Sequence, residues 1–324
     1  MRKRYDAIVC GGGPAGLAAA MWLGRYRRMT LVVDGGEHRN RAAGNAHGYL
    51  TRDGATPAEI IEIGRSEIAR YPTVERVEGQ IDDAEARGTA FAVTITGTEY
   101  LTKRVLLATG VRDVFPDIPG FEELYGRHIH HCPCCDGYEA RDESVLAIGW
   151  GEHVSGYALD LLEWGARVTV VTGGRAFEGD DACSLALRRN EVEIIEEAIT
   201  RFELEGGAMV GAVLASGRIL PATKAFFSIS HEPRTALAEK LGCRLDELGY
   251  VEVGPHGETS VDGVYAAGDV TPGEQLVQAA AAEGAISGIA CALSLRGEGT
   301  VPGAPDPGPD PELELEASRD ASED

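Results

Sequence analysis

Apolar and polar positions follow two periods along this chain, and the switches between them mark out its elements. Tyr5 to Cys10 reads as a buried strand, three glycines follow, and Pro14 to Arg28 carries apolar residues at helical spacing before a second short strand, Thr30 to Asp34. This is a βαβ unit. The pattern returns: Ser144 to Ile148 is strand-like, Gly149-Trp150-Gly151 is a glycine turn, Val154 to Gly165 is helix-like, and Arg167 to Val171 is a strand. Between the two units, Ala90 to Thr96 and Glu99 to Ala108 read as strands of a sheet that ends at Thr109-Gly110. Shorter strands are expected near Ala208 to Leu214 and Thr223 to Ile229, then at Gly263 to Ala267 ahead of Gly268-Asp269-Val270. The last helix, Gln275 to Leu295, is alanine-rich and apolar on most faces, so it is expected to pack against the first half.

The fold class that follows is α/β, with two Rossmann-like (three-layer ββα) dinucleotide-binding domains, the second inserted into the first. Residues 1–114 and 246–298 are expected to form the discontinuous first domain, and residues 115–245 the second. A length of 324 residues suits two domains, and 44% apolar residues supply their cores.

Charge narrows the partners. A net charge of −22 opposes approach to nucleic acid or an anionic membrane. Part of it is local: residues 299–324 hold eight acidic side chains, one arginine and five of the fifteen prolines, which reads as a disordered acidic tail. No stretch reaches the roughly 18–20 consecutive apolar residues of a membrane-spanning helix. The basic start Met1-Arg2-Lys3-Arg4 runs through a short strand into glycines, which is not a secretion signal, so a cytoplasmic location is expected. Structural disulfides are rare there. The odd count of seven cysteines, with Cys10, Cys183, Cys243 and Cys291 scattered, argues against a disulfide framework. Cys132, Cys134 and Cys135 sit together and require a chemical reason.

Gly11-Gly12-Gly13-Pro14-Ala15-Gly16 fits G-x-G-x-x-G directly after a strand and opening a helix. Glycines there let backbone amides approach a pyrophosphate, and the helix N-terminus adds its positive dipole end. Asp34, at the end of the second strand, is placed to accept hydrogen bonds from an adenosine ribose. Gly268-Asp269, before the last long helix, can hold a ribityl chain. The order GGGPAG, ATG, C-x-x-C-D-G and GVYAAGDV resembles the low-molecular-weight thioredoxin reductase family over nearly all of residues 5–295. The resemblance implies FAD in the first domain, an NAD(P)-binding-like second domain carrying the C-x-x-C, and a homodimer. It carries cofactor contacts to Gly11, Gly13, Pro14, Ala15, Gly16, Asp34, Asn45, His47, Thr109, Gly110, Gly268, Asp269, Gln278 and Ala279. His47 has an equal alternative role, bonding a loop carbonyl.

Cys132 and Cys135 frame the C-x-x-C, and Asp136, His130 and His131 are neighbours able to move its protons. By resemblance, Cys135 faces the flavin, Cys132 exchanges with substrate, and Asp136 is the acid–base group. A zinc site from the same histidines and cysteines is disfavoured, because adjacent ligands wrap poorly around one ion and no second C-x-x-C completes the set; no metal is expected. Pro133 and Asp136-Gly137 mark an exposed turn. Cys134 departs from the family's small hydroxyl residue and is read as a spectator, and the four scattered cysteines as structural thiols.

The second glycine turn departs further. Gly149 and Gly151 are present, but Val154 stands where the family has alanine, and the cationic group for a 2′-phosphate is replaced by Thr172-Gly173-Gly174-Arg175 with Glu178 in the last position. Each missing charge-assisted contact forfeits about 1.5–3 kcal/mol, so tight NADPH binding is not expected. NADH is not favoured either, since no acidic residue ends that strand. H-C-P-x-C-x-G-Y-E, from His131 to Glu139, with Arg39-Asn40 and Asp53-Gly54, is similar to the thioredoxin-reductase-like dithiol oxidases that close disulfides in small natural products. The leading expectation is an FAD-dependent thiol–disulfide oxidoreductase that oxidises a dithiol and passes the electrons to oxygen. The alternatives are a thioredoxin reductase with a divergent NADPH site or another donor, and a flavin redox sensor that does not turn over. The partner is then a small-molecule dithiol or disulfide, or a thioredoxin-like protein.

Overall fold

The computed structural model describes residues 4–296; the acidic tail lies outside the described residues. In chain order the elements open with β1 (Arg4–Cys10), α1 (Pro14–Arg25), β2 (Thr30–Asp34), α2 (Pro57–Ile68), β3 (Val74–Glu78), β4 (Ile81–Arg87), β5 (Ala90–Ile95) and β6 (Thr98–Leu107). Next come β7 (Val111–Val114), α3 (Phe121–Leu124), β8 (Ile129–His130), α4 (Pro133–Asp136), β9 (Ser144–Ile148), α5 (His153–Leu161), β10 (Arg167–Val171) and α6 (Asp181–Arg189). The strands β11 (Glu193–Ile195), β12 (Ile199–Glu205), β13 (Ala208–Leu214), β14 (Ile219–Pro221), β15 (Lys224–Phe227) and β16 (Ser230–Pro233) follow. The chain closes with α7 (Ala236–Lys240), β17 (Val264–Ala266) and α8 (Val277–Ser294). The described residues divide into two compact units: the first takes residues 4–39, Ala58–Arg112 and residues 232–296, and the second takes Asn40–Pro57 and Asp113–His231.

The first unit is built on a sheet ordered β3-β2-β1-β6-β5-β4, with β17 also on β6. β1 runs parallel to β2 and β6, in register Cys10 with Val33 and Leu107. Alternation along the strands produces two cores. Ala7, Val9, Val32 and Leu106 face helices through Leu17, Leu23, Ile61 and Cys291, while Ile8, Leu31, Val33 and Val105 face Phe91, Val93 and Val251 on the other side. Three layers result. Each fully buried side chain such as Leu23 contributes about 1.5–3 kcal/mol. The last helix does pack on the first half, and two glycines make that contact possible. A Cβ on Gly284 would lie 2.0 Å from the Ala15 carbonyl oxygen, and one on Gly288 would lie 2.7 Å from that of Ala19.

By length and composition α8 is apolar enough to cross a membrane, against the expectation that no segment qualifies. Small residues carry that apolarity, and they serve close packing on α1. α1 itself ends at Arg25, short of the expected Arg28, because Arg27 turns left-handed with φ of 60°.

The second unit repeats the plan. Its parallel sheet runs β11-β10-β9-β15-β8, and a three-stranded β12-β13-β14 sheet covers one face. Val145, Ala147, Val168 and Val170 pack on α5 and α6 through Val154, Ala158, Leu161 and Leu187. Leu146, Ile148 and Val171 pack on the opposite face with Phe202, Met209 and Leu214. The glycine turn after β9 therefore stands at the C-terminal edge of its sheet, as the turn after β1 does in the first unit.

Candidate active site

In the first unit the turn has no room for a side chain at three of its glycines. A Cβ on Gly11 (φ +131°) would lie 2.1 Å from the Ala108 oxygen, one on Gly16 would lie 1.9 Å from the Gly11 oxygen, and one on Gly12 would enter the Asp34 carboxyl at 2.2 Å. Gly13 meets nothing within 4 Å. α1 starts with Gly13 as N-cap and Pro14 at its first position, and no side chain caps it, which leaves its first-turn amides able to bond an anion. This open cradle fits the pyrophosphate of FAD. A Cβ on Gly268 (φ +79°) would lie 2.8 Å from Ala15 Cβ, and the Gly268 amide donates to Glu283 Oε2 at 2.8 Å. Asp269 lies 3.5 Å from Arg39 Nη1, which also donates to Gln275 Oε1 at 2.5 Å. Thr109 Oγ1 donates to the Arg234 carbonyl, and Gly110 turns at φ +68°. Gln278 and Ala279 lie in the first turn of α8, with Gln278 exposed.

Asp34 has company that the sequence reading missed. Its Oδ2 accepts from Arg65 Nη2 at 2.7 Å and lies 3.5 Å from Arg76 Nη1, while Oδ1 accepts from the Gly36 amide. Burial pushes this carboxyl up, but the Gly36 amide and Arg65 outweigh it and hold it below its usual value. Arg65 sits on α2, and nothing in the local sequence announces its pairing with Asp34.

The second unit holds the dithiol. Cys132 and Cys135 are joined as a disulfide, with Cα atoms 5.3 Å apart. The segment expected to be an exposed turn is a single helical turn, α4, with Cys132 as its N-cap and Pro133 presetting the first position. The Cys135 amide donates to Cys132 Sγ at 3.1 Å, a contact that strengthens if that sulfur becomes a thiolate. Asp136 Oδ1 lies 3.2 Å from Nδ1 of buried His130. His131 Nδ1 pairs with Tyr125 Oη at 2.9 Å, and Tyr125 donates to Asp113 Oδ2 at 2.8 Å. With the tyrosine proton directed to Asp113, His131 donates from Nδ1, and Nε2 becomes its basic nitrogen. Tyr157, its hydroxyl 3.1 Å from the His131 and Phe227 carbonyls, is held neutral by burial and by the Asp136 charge.

His47 and Asn45 belong to this second unit rather than to the first. His47 lies 3.7 Å from Asp53 Oδ1 and 3.6 Å from Glu139 Oε1, so its neighbours are carboxylates and not a loop carbonyl. Cys134 is exposed and free. Cys10 and Cys291 are buried, and burial pushes both thiols up to about 12. Cys183 is half-buried, and Cys243 is buried.

The model of the pyridine nucleotide-disulphide oxidoreductase family matches residues 5–284. A probable thioredoxin reductase from Arthroderma benhamiae is 41% identical over 168 residues, which cover 49% of this chain and 42% of that protein. Thioredoxin reductase tcpT from Claviceps purpurea is 33% identical over 82% of this chain and 86% of its own length. Among solved structures, a thioredoxin reductase TrxB described as putative, from Bacillus anthracis, superposes with a TM-score of 0.85 at 32% identity, covering 91% of this chain and 99% of its own.

Proposed function

The chain belongs to the pyridine nucleotide-disulphide oxidoreductase family as a thioredoxin reductase-like, FAD-using enzyme, and we propose that it oxidises dithiols without drawing on NADPH. One observation carries this reading. Where β10 ends, residues 172–178 offer a single arginine, exposed Arg175, and place Glu178 where a cation is needed for the 2′-phosphate.

The residues of the second unit then have defined tasks. A substrate thiolate attacks Cys132 Sγ; the substrate–Cys132 bond forms, the Cys132–Cys135 bond breaks, and Cys135 leaves as thiolate. The second substrate thiol attacks the mixed disulfide, releasing Cys132 and the cyclised product. Two protons leave the substrate, and His131 and the His130–Asp136 pair are the acceptors at hand. Pro133 fixes the turn, and the Cys135 amide holds the charge on Cys132. FAD, when bound, would supply the two-electron acceptor for the dithiol, with oxygen as the final oxidant. In the first unit Gly11, Gly13, Pro14, Ala15, Gly16, Thr109, Gly110, Gly268, Asp269, Gln278 and Ala279 would hold it. Under this reading the enzyme is a cytoplasmic homodimer whose substrate is a small dithiol.

An anaerobic titration of flavin absorbance tests it. Dithiothreitol should bleach the flavin and NADPH should not; rapid, saturable reduction at micromolar NADPH would refute it. The names of the relatives favour a second reading, reduction of a thioredoxin-like protein, with electrons from a divergent NADPH site or another donor. Failure of every small dithiol to turn over, with reduction of thioredoxin by a donor-fed enzyme, would select that reading.

A further inference from the structure

We infer that Trp150 and His153 determine the electron-donor specificity of this enzyme, by filling the second nucleotide crevice with the chain's own side chains. This rests on the NADPH-independent reading above and adds a cause to it: the crevice is occupied as well as stripped of cations. In an open parallel sheet the dinucleotide lies across the C-terminal ends of adjacent strands, with its adenosine at the first two. In the second unit those strands are β9 and β10, with β15 on the other flank of β9.

Both spans are bridged. Arg175, which follows β10, stacks its guanidinium on the Trp150 ring, which follows β9, at 4.0 Å from the centroid. The Glu178 amide donates to the Trp150 carbonyl at 2.9 Å and pins that loop. The indole thus takes the stacking partner an adenine would need, and it also engages the one arginine left for a phosphate. On the other flank, His153 Nε2 bonds the Ser228 carbonyl just beyond β15 at 3.1 Å. The same ring lies against Gly151, where a Cβ would be 2.7 Å from His153 Cε1. Glu152, ahead of α5, adds a negative charge where a pyrophosphate would seek a helix N-terminus.

The test is calorimetric binding of NADP⁺ and NAD⁺ to the FAD-loaded enzyme and to its Trp150→Ala/His153→Ala variant. The parent should show no saturable binding up to ~1 mM, and the double variant should bind at least about tenfold more tightly. NADP⁺ should be preferred, because Arg175 is released, and adding Arg175→Ala should remove the preference. A double variant with normal FAD content that binds no better than the parent overturns the inference while leaving the dithiol-oxidase reading intact. Rapid reduction of the parent flavin by NADPH instead refutes that reading itself. If the double variant does not fold, the single variants carry the test, each expected to show part of the gain; no gain in either overturns it.

Discussion

The same substitution should have opposite effects at two helical glycines, and the structure sets the size of each. Gly156 is exposed in the middle of α5, and a Cβ there meets nothing within 4 Å. Gly156→Ala gains helix propensity and should stabilise by about 0.5–1 kcal/mol. Gly284, in α8, receives the same propensity gain, but its new Cβ would lie 2.0 Å from the Ala15 oxygen and 2.7 Å from the Ala15 carbon. Those are backbone atoms of the helix that opens the phosphate cradle, so the contact cannot be relieved by a side-chain rotation. Forcing two helices apart in a packed core costs about 1–3 kcal/mol or more, which exceeds the gain. Gly284→Ala should therefore lower the melting temperature of the FAD-loaded enzyme, by roughly 2–4 °C for each net kcal/mol lost. It should also reduce FAD content, since Ala15 must move. Scanning calorimetry with flavin quantitation reads both effects. A Gly284→Ala protein as stable as Gly156→Ala, with full flavin, would show that the close approach of α1 and α8 is not what fixes the cradle.

Cys132→Ser and Cys135→Ser should each abolish steady-state dithiol oxidation, whereas Cys134→Ser should stay within about threefold of the parent; an equal loss in Cys134→Ser would remove its spectator role. Asp136→Asn should lower turnover by about 10²-fold at unchanged FAD content, the usual worth of a positioned proton-transfer group. Native alkylation with iodoacetamide should label Cys134 and spare Cys10 and Cys291, whose buried thiols are pushed up to about 12, until the protein is unfolded. Asp34 is held below its usual value of 3.8. Its contribution is thus complete above that value and is lost as pH falls through the lower folded one. In acid-unfolding curves the stability advantage of the parent over Asp34→Asn should shrink only below about pH 4, and a gap that closes near neutrality would contradict the sign.

Strong periodicity made much of this fold legible. β2, β9, β10 and β13 fall where the apolar runs put them, because a strand buried on both faces has little freedom to be anything else. β3 and β4 are not legible in this way: VERVE and IDDAEAR expose charged positions, and their strand character comes from pairing with β2 and β5. The site divides in the same way. Local features such as the glycine turn and the C-x-x-C are written in consecutive residues. Arg65 is brought onto Asp34 by packing of elements 31 residues apart, Tyr125 meets His131 six residues further on, and nothing at any of these positions alone announces the pairing.

The two glycine turns show how one plan can be kept in fold and divided in chemistry. Both follow a strand with a parallel partner on each side, and both open a helix without a side-chain cap. Both are tight for steric reasons: a Cβ on Gly11 would lie 2.1 Å from the Ala108 oxygen, and one on Gly149 would lie 2.6 Å from the Ser228 oxygen. Their third positions differ. Gly13 has nothing within 4 Å, whereas Gly151 has the His153 ring against it. Beyond the second strand the first unit places Asp34 between two arginines, and the second unit places Arg175 on its own Trp150. A glycine motif therefore reports only that the backbone can approach a phosphate. Whether the space is left open is decided by the residues next to it, and in this chain those residues keep the first turn open and close the second.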